Sequence, residues 1–507
     1  MTLTRLLLPG LAFTYGCSKD CPKGSERRDD GLCHLLEGDA EPTDTASTDT
    51  SQPDDTADSG DTSDSGDSGD TGSDELSFGD PILTLGSHVE GGAGEPITYE
   101  WVDAAPINDD WAIVVGQGGY GIVSMADGEL VHQERERRAL RVDSDGQHAI
   151  LGTRSDGLLL VDVSPGEATR GAVSLRPAGL RGVHEGVAID GSRILVGARD
   201  GGGLLLDLDG TSLGVLPASD AFAVGLSGDR AIVTDDDILL LYDITTPSEP
   251  IELARATMSG EGRDVSWHGD TLVVGMGGVG TSFWSTEGDA LRHRGDITTS
   301  GSALSVATDG TYAWIGAWEV TVLVDLQDDE PRLLGHETPV YSALGVAASN
   351  GRAMVADWFA STALEAVPGV AAPEVEGPDT LWFSALDEPS RAATFRNHGP
   401  LDLEVSLEVD GEANLSEDAF TVGAYSSHQV TVEWTGDRTR GTYIHWTTND
   451  PDEPTGTLAL RLADQGVGTL HEDFTLPGIE LPDGDESTWT LSDTRGKAVV
   501  LVYWALF

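Results

Sequence analysis

Arg141, His184, Glu185, Arg263 and Asp264 are the side chains of this 507-residue chain best suited by type to hold a polar ligand or a metal ion. They combine guanidinium, imidazole and carboxylate groups, and they fall at equivalent places once the chain's repeats are aligned. The competing reading gives them ordinary solvated loop contacts. No other constellation has the pattern a reaction needs. The twelve histidines are scattered without metal-ligand spacing, His184 and His268 standing alone. Gly116, Gly118, Gly119 and Gly121 are spaced like a phosphate-cradling loop. They sit in a strand-to-strand turn with no helix to follow, so the phosphate reading fails. The sequence has no Gly-x-Ser-x-Gly elbow between a strand and a helix. Its three cysteines, Cys17, Cys21 and Cys33, precede residue 34, and no thiol follows them. No metal site and no cofactor is expected.

The elements that would position the five side chains repeat along the chain. Segments such as "HAILGTRSDGLLLVDV" (148 on), "RILVGARDGGGLLLDL" (193 on) and "RAIVTDDDILLLYDI" (230 on) each read as strand, Gly/Asp-rich turn, strand. A strand precedes each. Val142, Val187, Val224, Val265 and Val306 lie four residues before a glycine; Val346 lies five before Gly351, and Val102 starts the series. Successive valines are 40, 45, 37, 41, 41 and 40 residues apart. Seven such units with period-two patterning predict a seven-bladed β-propeller over residues 80–370. Pro81 to Gly86 resembles the outer strands "PIELARA" (250 on) and "PRLLGHE" (331 on) but precedes unit one. It is expected to be the outermost strand of the last blade, closing the ring. On this alignment Arg141, His184, Glu185, Arg263 and Asp264 start inner strands near one mouth of the central channel, the default ligand site. The phrase "LLLYDITTPSEPIEL" (239 on) resembles the LVIVD-repeat propellers of exported bacterial proteins, which implies architecture rather than chemistry.

Residues 374–464 change character. "DTLWFSALDEPSRAATFRNHGPLDLEVSLEV" and "AYSSHQVTVEWTGDRTRGTYIHWTTNDPDEPTGTLALRL" alternate short strands with turns and predict a β-sandwich of about seven strands. The block resembles the Ig-like modules called ASH or choice-of-anchor domains, most specifically at the Asn449-Asp450-Pro451 turn. The resemblance implies a spacer or binding platform.

Residues 470–507 end on "RGKAVVLVYWALF", an apolar run with nothing after it to pack beside. The stretch resembles the beginning of a redoxin domain, the thioredoxin-like family of extracytoplasmic thiol-disulfide oxidoreductases and peroxiredoxins. Phe474 to Pro477 match the opening motif, Trp489, Leu491 and Ser492 the small hairpin, Arg495-Gly496-Lys497 the turn, and Val499 to Trp504 the central strand. The oxidoreductase branch continues Trp-Ala-x-x-Cys-x-x-Cys. Trp504, Ala505, Leu506 and Phe507 fill the first four places, so the nucleophile is due directly after Phe507. That chemistry needs a thiolate whose pKa is lowered at a helix N-terminus and a second thiol to resolve the mixed disulfide. No catalytic residue is present, and the segment is expected to be an incomplete thioredoxin-like α/β fragment. Three origins stay open: an interrupted gene, a natural truncation, or a UGA selenocysteine codon read as stop. Redoxin or peroxiredoxin activity is expected only if the chain continues past residue 507.

The N-terminus is an address. Residues 1–16 carry Arg5 and a short apolar stretch before Gly16-Cys17, and they resemble a bacterial lipoprotein signal, with an ordinary signal peptide as the alternative. The resemblance implies acylation of Cys17. Within residues 17–36, Cys21 and Cys33 remain as an even pair, most simply a disulfide in an oxidising compartment. Residues 37–79 form an acidic Ser/Thr/Asp/Gly linker. Its first 39 positions hold 14 acidic and no basic residues, too polar to offset the entropy of ordering. Its Asp-Ser-Gly steps lack the spacing of a calcium loop.

Net charge is −58, from 87 acidic and 29 basic residues, and only Lys19, Lys23 and Lys497 are lysines. A chain so acidic has no basic face for nucleic acid or for anionic lipid head groups. A lysine-poor acidic surface also suits an exported protein or a salt-rich habitat. Membrane contact is expected through the lipid anchor alone, on the outer membrane or cell surface. Two functions follow: an envelope-anchored thiol- or selenol-disulfide oxidoreductase, inactive as the chain stands, whose propeller binds a protein or small ligand; or a non-enzymatic surface scaffold using the propeller and the Ig-like domain.

Overall fold

Each repeat of about forty residues forms one four-stranded antiparallel sheet, and there are seven such sheets. The computed structural model describes residues 76–462 apart from 90–99, 136, 154–156, 178–185, 300, 384–388 and 436–441, together with four strands outside that range. Among the described residues there is no helix. In blade 2, for example, the strands run Arg141–Ser144, His148–Gly152, Leu158–Asp162 and Arg170–Leu175 from the axis outward. The innermost strands touch in sequence, and that of blade 7, Gly345–Ser349, touches Trp101–Pro106 of blade 1. The ring therefore closes. It is a seven-bladed β-propeller.

The burial pattern explains the sequence pattern. Second and third strands, such as Arg193–Gly197 and Gly203–Asp207, bury both faces because a neighbouring blade covers each, so they read as continuous apolar runs. Outer strands such as Arg170–Leu175 are mostly exposed. Every gap between blades holds its own apolar cluster, from the Ile113, Val115 and Leu151 layer of blades 1 and 2 to the Trp101, Val114 and Met354 layer of blades 7 and 1. All seven aligned valines fall in innermost strands. The glycines that follow them, Gly146 to Gly351, turn the chain into the second strand at φ between 57° and 90°, the left-handed region where a Cβ is costly. Ile82–Val89 pairs with Ala360–Ala366 as the outermost strand of blade 7, so the chain's early segment closes the last blade, as expected from Pro81 to Gly86.

Beyond the ring, a four-stranded and a five-stranded sheet enclose a second core. Ser427–Trp434 alternates exposed and buried residues, and its inward side chains meet Phe383, Phe395, Ile444 and Trp446. This pair of sheets adjoins blade 6: the Ala372 amide donates to the Leu334 carbonyl at 3.0 Å. Leu401 packs on the cluster between blades 6 and 7.

Residues 1–71 and 464–507 make a separate unit, of which two antiparallel hairpins are described. Ser25–Arg27 pairs with Cys33–Leu35, and Thr475–Glu480 pairs with Asp485–Thr490, setting Leu476 opposite Trp489. Cys17, Cys21, Trp504, Ala505 and Phe507 lie outside the described residues, as do the linker through residue 75 and the strand expected at 499 to 504.

Candidate functional site

The propeller axis holds a cavity of about 1230 Å³ lined by the innermost strands. Arg141 and Asp264 line it, together with Asp103 and Asp143. Arg141 pairs with Gly152, where the second strand ends, and Asp264 with Gly275 in the same relation, so both sit at the mouth formed by the turns between second and third strands. Arg263 does not join them. Its guanidinium pairs with Glu261 at 2.6 Å and stands 5.2 Å from the centre of the Phe222 ring. Successive residues of an extended segment face opposite ways, which separates Arg263 from its neighbour Asp264. His184 and Glu185 lie outside the described residues.

The channel carboxylates have a structural task. Asp103 Oδ2 accepts the amide of Val142 at 3.0 Å, Asp143 Oδ2 that of Ile189 at 2.8 Å, and Asp264 Oδ2 that of Val306 at 2.8 Å. Each acceptor stands on one blade and its donor on the next. Ser305 does the same for Val346 at 3.1 Å. Loss of solvent in the channel pushes Asp103 and Asp143 up to about 7, and it raises Asp264 as well. The Arg141 charge opposes that rise at Asp103 and Asp264, which marks it as the cation between them. A constellation of three carboxylates and one arginine, with the carboxylates bonded to amides, binds the ring together.

The opposite mouth is ringed by the hairpin turns after the innermost strands. Asp109, Asp145, Asp190 and Asp309 stand there with His268, giving that rim an acidic character.

A different feature occupies the face shared with Arg141. Trp318 and Trp358 occupy equivalent turns of blades 6 and 7 and have φ of 60° and 46°. The left-handed region is uncommon for a bulky residue, but Arg199, Asp236 and Gly277 take it at the same turn of blades 3, 4 and 5, so the conformation belongs to the repeat. The backbones of the two tryptophans bridge onward: Trp318 exchanges amide bonds with Ala343, and Trp101 donates to the Trp358 carbonyl at 2.6 Å. Their rings meet edge to face at 6.1 Å, and Phe359 extends the group to Tyr341 through centroid distances of 5.5 Å. Tyr341 is 47% and Val340 52% exposed, so the cluster reaches solvent. Next around the face, Arg199 and Arg263 lie 4.3 and 5.2 Å from the one Phe222 ring.

Sequence reading singled out none of these aromatics. The signal was there: "GAWEV" (316 on) and "ADWFA" (356 on) place tryptophan at the turn position where other repeats have Gly, Arg or Asp.

No protein-family model matches the chain, and no curated protein matches it. Solved structures match over more than half of the chain. The computationally designed Ika8 protein is 12% identical over 58% of this chain and 95% of its own, at a TM-score of 0.42. The WD40 β-propeller domain of Doa1 is 11% identical over 57% and 97%, at 0.44. A chain of the mitotic checkpoint complex is 12% identical over 56% and 96%, at 0.43. Likeness of this degree carries no functional information, and the ring stands on its own strand order and closure.

Among the described residues, two groups of side chains could hold a metal ion, and neither is in the channel. Both lie where blade 6 meets the second core, around His336, Glu374 and Asp452.

Proposed function

We propose that this chain is a binding scaffold of the bacterial envelope whose propeller receives a protein partner on the face carrying Trp318, Trp358, Phe359 and Tyr341. The aromatic cluster carries the reading. Clustered Trp and Tyr side chains, part buried and part exposed, are the side chains that dominate protein–protein contacts. The channel's carboxylates are taken up by inter-blade hydrogen bonds, which leaves the face as the better candidate. In this reading Cys17 bears the lipid, residues 37–79 tether the ring, and residues 374–464 act as an Ig-like spacer of the ASH type. A photo-cross-linking residue at position 341, expressed in cells, tests it. A discrete adduct is expected there, absent when the probe sits at Val173 on an outer strand and lost when Trp318 and Trp358 are both changed to serine. Equal adducts at both positions, or none, sink the reading.

A second reading adds a redox head. It rests on the redoxin resemblance of residues 470–507, and the pairing of Leu476 with Trp489 suits the hairpin that the resemblance implies. Here the scaffold would serve a thiol- or selenol-disulfide oxidoreductase whose nucleophile follows Phe507. The nucleotide sequence past the Phe507 codon decides it. A cysteine codon, or UGA followed in frame by x-x-Cys and further thioredoxin-like strands, supports the head; UAA or UAG with no coding sequence beyond it removes it.

A further inference from the structure

Five ionisable side chains from four distant segments meet where blade 6 joins the second core. His336 and Glu337 end the outer strand Arg332–Glu337. Asp80 precedes the ring-closing strand, Glu374 lies in the connection that leaves the ring, and Asp452 lies in the turn before Thr455–Leu462. One ligand atom from each of His336, Glu374 and Asp452 lies within 4.8 Å of the others, and the same holds for Asp80, Glu337 and Asp452.

An acidic cluster alone would signify little in so acidic a chain. The decisive observation is Glu374. Its side chain has no exposure, Oε1 accepts the His336 amide at 2.9 Å, and Oε2 accepts no hydrogen bond. Oε2 faces His336 Nε2 at 2.5 Å, outside hydrogen-bond geometry. Asp452 Oδ2 is likewise buried without a partner. Buried carboxylate oxygens are ordinarily satisfied, and an unsatisfied one calls for an explanation such as an ion. The turn that presents Asp452 is rigid: Asp450 Oδ1 accepts the amides of Asp452 and Glu453 at 2.9 and 3.2 Å, while its Oδ2 accepts the Val375 amide at 2.8 Å. Asp80 is exposed and Glu337 and Asp452 half-buried, which leaves a route from solvent.

We infer that His336, Glu374 and Asp452 bind one divalent cation, with Asp80 and Glu337 beside it, and that the ion fastens the second core to the propeller. One imidazole with several carboxylates suits Mn²⁺ or Zn²⁺: imidazole favours the transition metals, and carboxylate accepts both.

The test is titration of the EDTA-treated full chain with Mn²⁺, Zn²⁺ and Ca²⁺ separately, read by calorimetry and by thermal unfolding. One Mn²⁺ or Zn²⁺ per chain is expected, with Tm raised by several degrees. Glu374→Gln and Asp452→Asn should each weaken that binding at least tenfold and abolish the Tm shift. The metal-free Tm of Asp452→Asn should match or exceed that of the parent, since it removes a like charge, and this separates lost binding from lost folding. Weak, multi-ion binding that is the same in parent and variants, or no stoichiometric binding at all, overturns the inference.

Discussion

Asp103 Oδ2 accepts the Val142 amide across the gap between blades 1 and 2, while its Oδ1 accepts the amide of Ala104, both at 3.0 Å. One buried carboxylate thus joins two blades by their innermost strands. Asp103→Ala strands both amides away from water, and leaving buried donors unmet costs about 1–3 kcal/mol. Asp103→Asn keeps one acceptor oxygen and should lose less. Urea unfolding of the two variants checks this. An alanine variant as stable as the parent would mean the ring does not depend on the bond.

The same carboxylates set a pH dependence. Asp103 and Asp143 titrate near 7 in the folded chain against an ordinary 3.8. Between those values the folded chain holds protons that the unfolded chain has released. Stability therefore falls as pH rises from about 4 to about 7 and levels off above that. General repulsion in a chain of net charge −58 acts in the same direction, so the variant comparison isolates the site. Unfolding midpoints measured with EDTA from pH 5 to 8 should slope less in Asp103→Asn and Asp143→Asn than in the parent. Equal slopes would place the titrating groups elsewhere.

The ring was legible because its signals are local and repeated: one valine, one glycine at positive φ and two apolar runs per unit. The inter-blade bonds were not, because Asp103 and its Val142 partner lie one repeat apart and either residue alone looks ordinary. Arg141 and Asp264 line the channel while Arg263, one position before Asp264, points away from it, since successive extended residues face opposite ways. The metal candidates were hidden for a further reason. His336 was visible in "PRLLGHE" and Asp452 in the turn after Asn449-Asp450-Pro451, but only the packing of the second core on blade 6 brings them together.

Gly335 marks how closely that packing is drawn. A Cβ there would fall 2.4 Å from Pro81 Cγ and 2.8 Å from Glu374 Oε1. Neither neighbour is free to retreat: the proline leads into the ring-closing strand, and the carboxylate is buried. Gly335→Ala should cost about 1–3 kcal/mol through overpacking. It should also open the junction to proteolysis near residue 372. Gly278→Ala, where a Cβ meets nothing within 4 Å, is the control and should be silent. Equal effects of the two would mean that the junction yields without strain.

Asp357 connects the fold to the proposed docking face. It is fully buried at the end of the second strand of blade 7, immediately before Trp358. Its carboxylate accepts the amides of Val340, Tyr341 and Ser342 at 2.6, 2.8 and 2.5 Å. Burial raises its pKa, and the three amides oppose that rise. The carboxylate thereby fixes the backbone that carries Tyr341 against Phe359, and Asp235 plays the same part in blade 4 for the amides of Ser219 and Asp220. Asp357→Ala removes all three acceptor contacts and should cost about 1–3 kcal/mol, chiefly through the buried Ser342 amide, since Val340 and Tyr341 lie near solvent. Asp357→Asn retains part of the set and should fold. If the face binds as proposed, Asp357→Asn should reduce cross-linking at position 341 while the bond between Asp103 and Val142, on the next blade's inner strand, stays intact. An Asp357→Asn chain that cross-links as the parent does would show that the partner does not depend on this backbone.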